Sequence, residues 1–149
     1  MPETAFARVR PAEPRDLDQV LAMLGGAQLP TAGIPPSLTG FLVAESGTRL
    51  VGVIGLEAYG LVALLRSAAV VADARGAGVG ASLVKSLLAR AGGQGIRDVY
   101  LLTTTAEAWF PRFGFVGVTR AMVPEALQAS EEFKGACPDS AVVMHATLA

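Results

Sequence analysis

Apolar and polar residues alternate over "FARVR" (6–10), the period-two signature of a half-buried strand, and Pro11 and Pro14 end it. Asp16 stands as an N-cap before Leu17, Val20, Leu21 and Leu24 at helical spacing, and Gly25-Gly26 supplies the stop. "PTAGIPPSLTG" (30–40) reads as loop. "FLVAES" (41–46) and "RLVGVIGLEAY" (49–59), joined at Gly47-Thr48, read as a hairpin, and Gly60 turns the chain into a further apolar run over 61–71. A helix over about 78–91 follows, then a strand over 98–105 and a short helix over 106–113 stopped by Gly114. A strand over 114–120, a short helix over 124–133 and a closing strand over 140–148 complete the pattern. An antiparallel meander in the middle with alternating strands and helices after it predicts one mixed α+β domain over residues 1–149.

Composition narrows the class. The apolar stretches are broken by Glu57, Arg66 and Asp73, so none reaches the roughly 18 residues of a membrane span. The start "MPETAFARVRPAEPRD" carries neither an apolar signal core nor an Arg-rich transit pattern. Twelve basic and thirteen acidic residues give a net charge of −1, which argues against a nucleic-acid surface but leaves room for one local anion. Cys137 is alone, so the chain has no internal disulfide framework and no four-cysteine metal site. The expectation is a cytoplasmic protein that works without a metal, a nucleic acid or a membrane.

One stretch resists a plain reading: "VVADARGAGVGASLVKSLLAR" (70–90). Gly76, Gly78 and Gly80 stand where a helix ought to begin, although a glycine inside a helix costs about 1 kcal/mol against alanine. A surface turn with a weak helix start would suit one glycine, not three at alternate positions. A dinucleotide fingerprint is the second reading, because Gly76, Gly78 and Ala81 fit its spacing. That fingerprint follows the first strand of a parallel sheet and needs an acid about 20 residues on. Here a meander precedes the glycines and "TTT" (103–105) takes the acid's place. A Walker loop is excluded because no Gly-Lys-Ser/Thr follows. The third reading is a cradle of successive backbone amides at a helix start, where bare glycine lets a pyrophosphate touch the main chain.

Here the residues resemble a known family. "VVADARGAGVGASLV" resembles the coenzyme A motif of the GNAT N-acetyltransferase superfamily, R/Q-x-x-G-x-G/A, which Arg75-Gly76-Ala77-Gly78-Val79-Gly80 fits without gaps. "AEAWFPRFGF" (106–115) resembles the family's second signature, a short helix running into an aromatic-rich Gly-Phe end. "GLEAYG", "LLRS" and "LLTTTAEAWF" are similar to the arsenic-resistance-type branch, itself similar to the acetyltransferase domains of N-acetylglutamate synthases. The resemblance implies a GNAT fold. Its central mixed, mostly antiparallel sheet is flanked by helices and splits in a V between the strands at 61–71 and 98–105. It implies acetyl-CoA as donor, with the pantetheine arm on the Ala69, Val70 and Val71 backbone. The pyrophosphate would sit on the amides of Gly76, Ala77, Gly78, Val79, Gly80 and Ala81, beside Arg75. The partner would be a small-molecule amine acceptor, and pairing of two copies into a homodimer stays open. The family's frequent general acid is a Tyr near the cofactor; this chain has Phe110 there, which has no proton to give.

Acetyl transfer to an amine needs a base for the ammonium proton and donors for the oxygen of the tetrahedral intermediate. Glu57 is the one acid within residues 50–72, and on a strand it shares a face with Val53, Gly55 and Tyr59. Its bland reading is an edge-strand charge facing water. Tyr59 is a second catalytic candidate. Arg66 is isolated in an apolar strand, where an unpaired charge is costly. It either pairs with Glu57 or grips a carboxylate on the acceptor. Thr103 and Thr104 are candidates on the acceptor side. A thiol's pKa is about 8.5, so the thiolate is a tolerable leaving group without full protonation, and Thr103, Thr104 or Tyr100 could assist it. Cys137 and His145 read as packing or surface residues, and the long bridge at 124–139 reads as a wall of the acceptor pocket or a partner contact. A CoA-binding domain without catalysis and an enzyme acting on protein N-termini or lysines stand as alternatives.

Overall fold

The computed structural model describes residues 7–136 and 140–148. Among the described residues seven strands form: β1 (Arg8–Pro11), β2 (Phe41–Ser46), β3 (Arg49–Tyr59), β4 (Val62–Val70), β5 (Asp98–Thr103), β6 (Val116–Val118) and β7 (Val142–Thr147). Two α-helices accompany them, α1 (Leu17–Gly26) and α2 (Val79–Gly93). Hydrogen bonding orders the strands β1-β2-β3-β4-β5-β7-β6, so the last strand of the chain inserts between β5 and β6. β1 with β2, β2 with β3, β5 with β7 and β6 with β7 are antiparallel. β4 and β5 are parallel and pair over three steps, Val62–Asp98, Ala63–Val99 and Leu64–Tyr100. This is the mixed, mostly antiparallel sheet expected from the sequence.

The chain folds into two compact units. One gathers the residues up to Gly55 with Ser67–Leu87, the other Leu56–Arg66 with the residues from Leu88 on. In the first unit α1 buries Val20 and Leu24 against Leu38, Phe41, Val43, Leu50, Val53 and Ala69. Burying each such aliphatic side chain contributes about 1.5–3 kcal/mol. Gly52 of β3 explains how α2 docks there. A Cβ at Gly52 would lie 2.8 Å from Leu83 Cδ1 and 3.1 Å from Val79 Cγ1, so a side chain at 52 would force the Leu83 and Val79 side chains to shift. In the second unit Leu64, Tyr100, Val123, Leu127 and Val143 form a core, with Tyr59 and Phe133 packed against it.

Two expected helices are corrected. Residues 106–113 yield a 3-10 helix over Phe110–Phe113 alone, because Pro111 starts the turn and Gly114, at φ 94°, ends it. Residues 124–133 do not form one helix. A 3-10 helix spans Glu125–Ala129, Ser130 turns extended at φ −66° and ψ 142°, and a π-type turn spans Glu132–Ala136. Among the described residues no helix is long and apolar enough to cross a membrane. Cys137 and part of the bridge expected at 124–139 lie outside the described residues.

Candidate active site

The glycine-rich turn belongs to the first unit. Gly76 and Gly78 have φ +87° and +83°, a region that side chains avoid, so the backbone shape itself requires glycine at both positions. Gly80 differs, sitting inside the first turn of α2. Space in front of the turn is open: a Cβ on Gly76 or Gly78 would meet nothing within 4 Å. A shallow cavity there is lined by Ala77, Gly78, Val79 and Ser82, with Ala7, Val9 and Ala44. The amides of Val79–Ala81 lack carbonyl partners one turn back within the helix, and Ser82 N–H is the amide that bonds Gly78 O at 3.0 Å. Backbone donors, the helix dipole and an open, small-residue floor suit an anion pressed against the main chain. Ser82, in the first turn of the helix after the glycines, adds a hydroxyl to the cavity lining. Just before the turn, the Val71 amide is taken by Val51 O at 2.9 Å. Peptide groups alternate along a strand, so Val70 faces the other way; its carbonyl accepts from Arg75 Nε at 3.2 Å.

A charged cluster lies in the second unit. Arg66 Nη1 donates to Glu57 Oε2 at 2.7 Å, and Tyr59 O–H donates to Glu57 Oε1 at 2.5 Å. The Arg66 side chain has no exposure, whereas Glu57 keeps 18%. Burial, and then the bond to Glu57, push the Tyr59 phenol up to about 12, so it stays protonated at neutral pH. The Glu57 carboxylate thus has a fixed orientation, yet two bonds use two of its roughly four lone-pair sites. It can accept a further proton, directly or through water. Next in the chain, Ser67 sits at φ 60°, an uncommon conformation for a non-glycine residue and a point of strain inside β4. Nothing in "LLRSAAV" announces it.

Other sequence candidates take plainer places. Thr103 Oγ1 accepts from the Ala106 amide at 2.9 Å and so caps the turn after β5, while Thr104 is exposed. Phe110 is buried, edge-on to Trp109 at 5.0 Å and to Phe115 at 5.7 Å. Tyr100 is buried beneath His145, whose ring stacks on it at 4.6 Å and whose Nε2 lies 2.8 Å from Asp98 Oδ1. Among the described residues no three His, Cys, Asp or Glu side chains gather where they could hold a metal ion.

Known proteins share this architecture. The chain aligns with an N-acetylglutamate synthase from Neisseria gonorrhoeae, solved with coenzyme A and N-acetyl-glutamate, at TM-score 0.82 and 20% identity, over 97% of this chain and 35% of that one. It therefore spans about a third of that synthase. A protein from Mycobacterium tuberculosis, solved with CoA, aligns at TM-score 0.81 and 21% identity over 95% of this chain and 99% of that one. Ard1 from Thermoplasma volcanium aligns at TM-score 0.73 and 22% identity over 96% and 98%. At these identities the likeness is one of fold. The family model of the acetyltransferase (GNAT) domain matches residues 37–117, more than half of the chain and including both the glycine turn and the Glu57 cluster. The chain belongs to the GNAT family of acetyltransferases, enzymes that take their acetyl group from acetyl-CoA.

Proposed function

We propose that this acetyltransferase acetylates the amine of a small, amino-acid-like acceptor, with Glu57 as the base. The observation that carries the reading is the Glu57 carboxylate, held by Arg66 and Tyr59 on its two oxygens and still 18% exposed. Bound acetyl-CoA supplies an activated thioester. The amides of the turn at Gly76–Ala81, with Ser82, would hold its phosphates, Arg75 would add a charge, and the Ala69–Val71 backbone would carry the pantetheine arm. An alkyl ammonium cannot attack until it loses a proton, and Glu57 takes that proton. Tyr59 keeps its own proton and acts by holding Glu57 in place. The phenol is no better an acid for the departing thiolate than water-exposed groups are, because about 12 lies well above a thiol's roughly 8.5.

Two roles of Arg66 separate by experiment. Its complete burial and its bond to Glu57 support a positioning role. The acceptor-gripping role predicts that Arg66→Lys, which keeps charge but loses the planar fork, weakens carboxylate-bearing amines and spares carboxylate-free ones. The test of the whole reading is acetyl-CoA-dependent thiol release against L-glutamate, L-glutamine, other amino acids, arsenical and phosphinic analogues, and peptides. The reading expects release with a small amino-acid-like amine. Release with the arsenical or phosphinic analogues alone would identify the resistance-type branch, and release with peptides alone would overturn the small-acceptor assignment. Gly78→Val checks the donor site: in a folded variant, calorimetry with CoA should show affinity at least about 10-fold weaker, from a side chain between phosphate and backbone. Unchanged affinity would remove the turn from the site.

A further inference from the structure

Residues 119–135 cover part of the second unit, and they follow β6 without joining the sheet. The backbone hydrogen bonds along them are short-range. The Met122 amide donates to Thr119 O at 3.0 Å, Val123 to Arg120 O at 3.2 Å, Leu127 to Pro124 O at 3.0 Å and Ser130 to Leu127 O at 3.0 Å. Phe133 and Lys134 both donate to Ser130 O at 3.0 Å. The Ser130 Oγ accepts from the Glu132 amide at 3.2 Å, another bond within the segment. None of these bonds reaches a strand. Docking is apolar instead. Val123 and Leu127 are buried in one core with Leu64 of β4, Tyr100 of β5 and Val143 of β7, and Phe133 packs against that core. Tyr59 packs against the same core from β3, and its hydroxyl donates to Glu57. Tyr59 and Glu57, two apart on a strand, share one face, so the segment lies over the face that presents the carboxylate. Most of its other residues are exposed, and Gly135 near its end has φ +119°, a conformation that favours glycine. Short turns with local bonds, fastened through a few apolar side chains, can lift away without breaking a rung of the sheet.

We propose that residues 119–135 are a cover that opens and closes as one unit over the Glu57 face, independently of the sheet, and so admits the acceptor. The admission of an acceptor rests on Glu57 being the base, and the test keeps the two ideas apart. Hydrogen–deuterium exchange of the free protein, read residue by residue by NMR at low guanidinium concentrations, needs no acceptor. The amides of Val123, Leu127, Ser130, Phe133 and Lys134 should share one level of protection, at least about 10-fold below that of the amides joining β5 to β7. Their protection should also fall less steeply with denaturant, because opening the cover exposes less surface than unfolding the sheet. Leu127→Ala, which removes one fastening, should lower the segment's protection by a further 10-fold or so at least. If Leu127→Ala does not fold, Phe133→Ala, which trims a half-buried side chain, is read the same way. Segment amides with the protection and the denaturant slope of the β5–β7 amides, or protection unmoved by loss of the fastening side chain, would overturn the proposal. Turnover, with whichever panel amine releases most thiol, reads the link to the acceptor. Leu127→Ala should raise KM for that amine about 3-fold or more and leave KM for acetyl-CoA unchanged. An unchanged amine KM, or an equal rise in both, would overturn the gating role. No thiol release from any panel amine would sink the acceptor reading separately, leaving the exchange result to decide the cover.

Discussion

Each unit places an arginine against carboxylates, and the two arrangements differ in which partner lies deeper. In the first unit Arg10 forks onto Asp16, Nη1 to Oδ2 at 2.9 Å and Nη2 to Oδ1 at 3.1 Å, while Nη2 also reaches Glu45 at 3.1 Å. The Glu13 amide donates to the same Asp16 at 2.8 Å. Here the acid is the buried partner, its side chain 4% exposed against 14% for Arg10. In the second unit the order is inverted: Arg66 is fully buried and Glu57 faces outward at 18%. A carboxylate closed in by a guanidinium fork and an amide is a structural tie. A carboxylate held by one bond on each oxygen, with its cation behind it, is presented for use. The difference sets Asp16, buried beneath its arginine, apart from Glu57, exposed in front of its own.

Substitutions can break or sharpen that contrast. Arg66→Met removes a fully buried cation and should cost about 3 kcal/mol or more of unfolding free energy, together with most of the activity. Chemical denaturation and thiol release on the same sample check both. Asp16→Asn should cost about 2 kcal/mol, the worth of hydrogen bonds to a charged group, while kcat per folded molecule stays the same. A fall in kcat there would erase the distinction. The pH dependence should differ in parallel. The bonds from Arg10, joined by the Glu13 amide, hold the Asp16 carboxyl below the usual carboxylate range. The stability this pair contributes is therefore complete above the unfolded value, about 4, and is lost as pH falls through the folded one. Urea midpoints of the unmodified protein and Asp16→Asn should converge on acidification below pH 4. The smallest effect belongs to Asp73, whose pair with Arg49 is exposed on both sides. Asp73→Asn should leave the unfolding midpoint and the turnover where they were.

Local chemistry made much of this legible. The hairpin at 41–59, the strand at 61–71 and the helix after the glycines were readable because each carries its own period and its own turn residues. The positive φ of Gly76 and Gly78 answers why glycines recur there. Features set by distant residues were hidden. Asp16 occupies the N-cap position of α1 as expected, but its side chain makes no cap bond. The fold brings Arg10 of β1 beside it, and its carboxylate bonds that guanidinium and the Glu13 amide. The insertion of β7 between β5 and β6 depends on long-range pairing that no local window contains. The helix expected over 124–133 looked sound by composition, yet burial of Ser130 and Leu127 overrode a weak local preference and broke it in two. Glu57 and Arg66 could be singled out as lone charges in apolar strands; the depth of each, which decides their roles, needed the packed structure.

As the proposed base, Glu57 takes the proton of the attacking amine. The most direct measurement is the pH–rate profile of kcat, at saturating acetyl-CoA and with the best panel amine, for the unmodified enzyme and for Glu57→Gln. If Glu57 is the base, Glu57→Gln should lose about 10²-fold or more in kcat, the acidic limb of the profile should disappear, and the affinity for acetyl-CoA should be unchanged. A Glu57→Gln enzyme with the same kcat and the same acidic limb would contradict it.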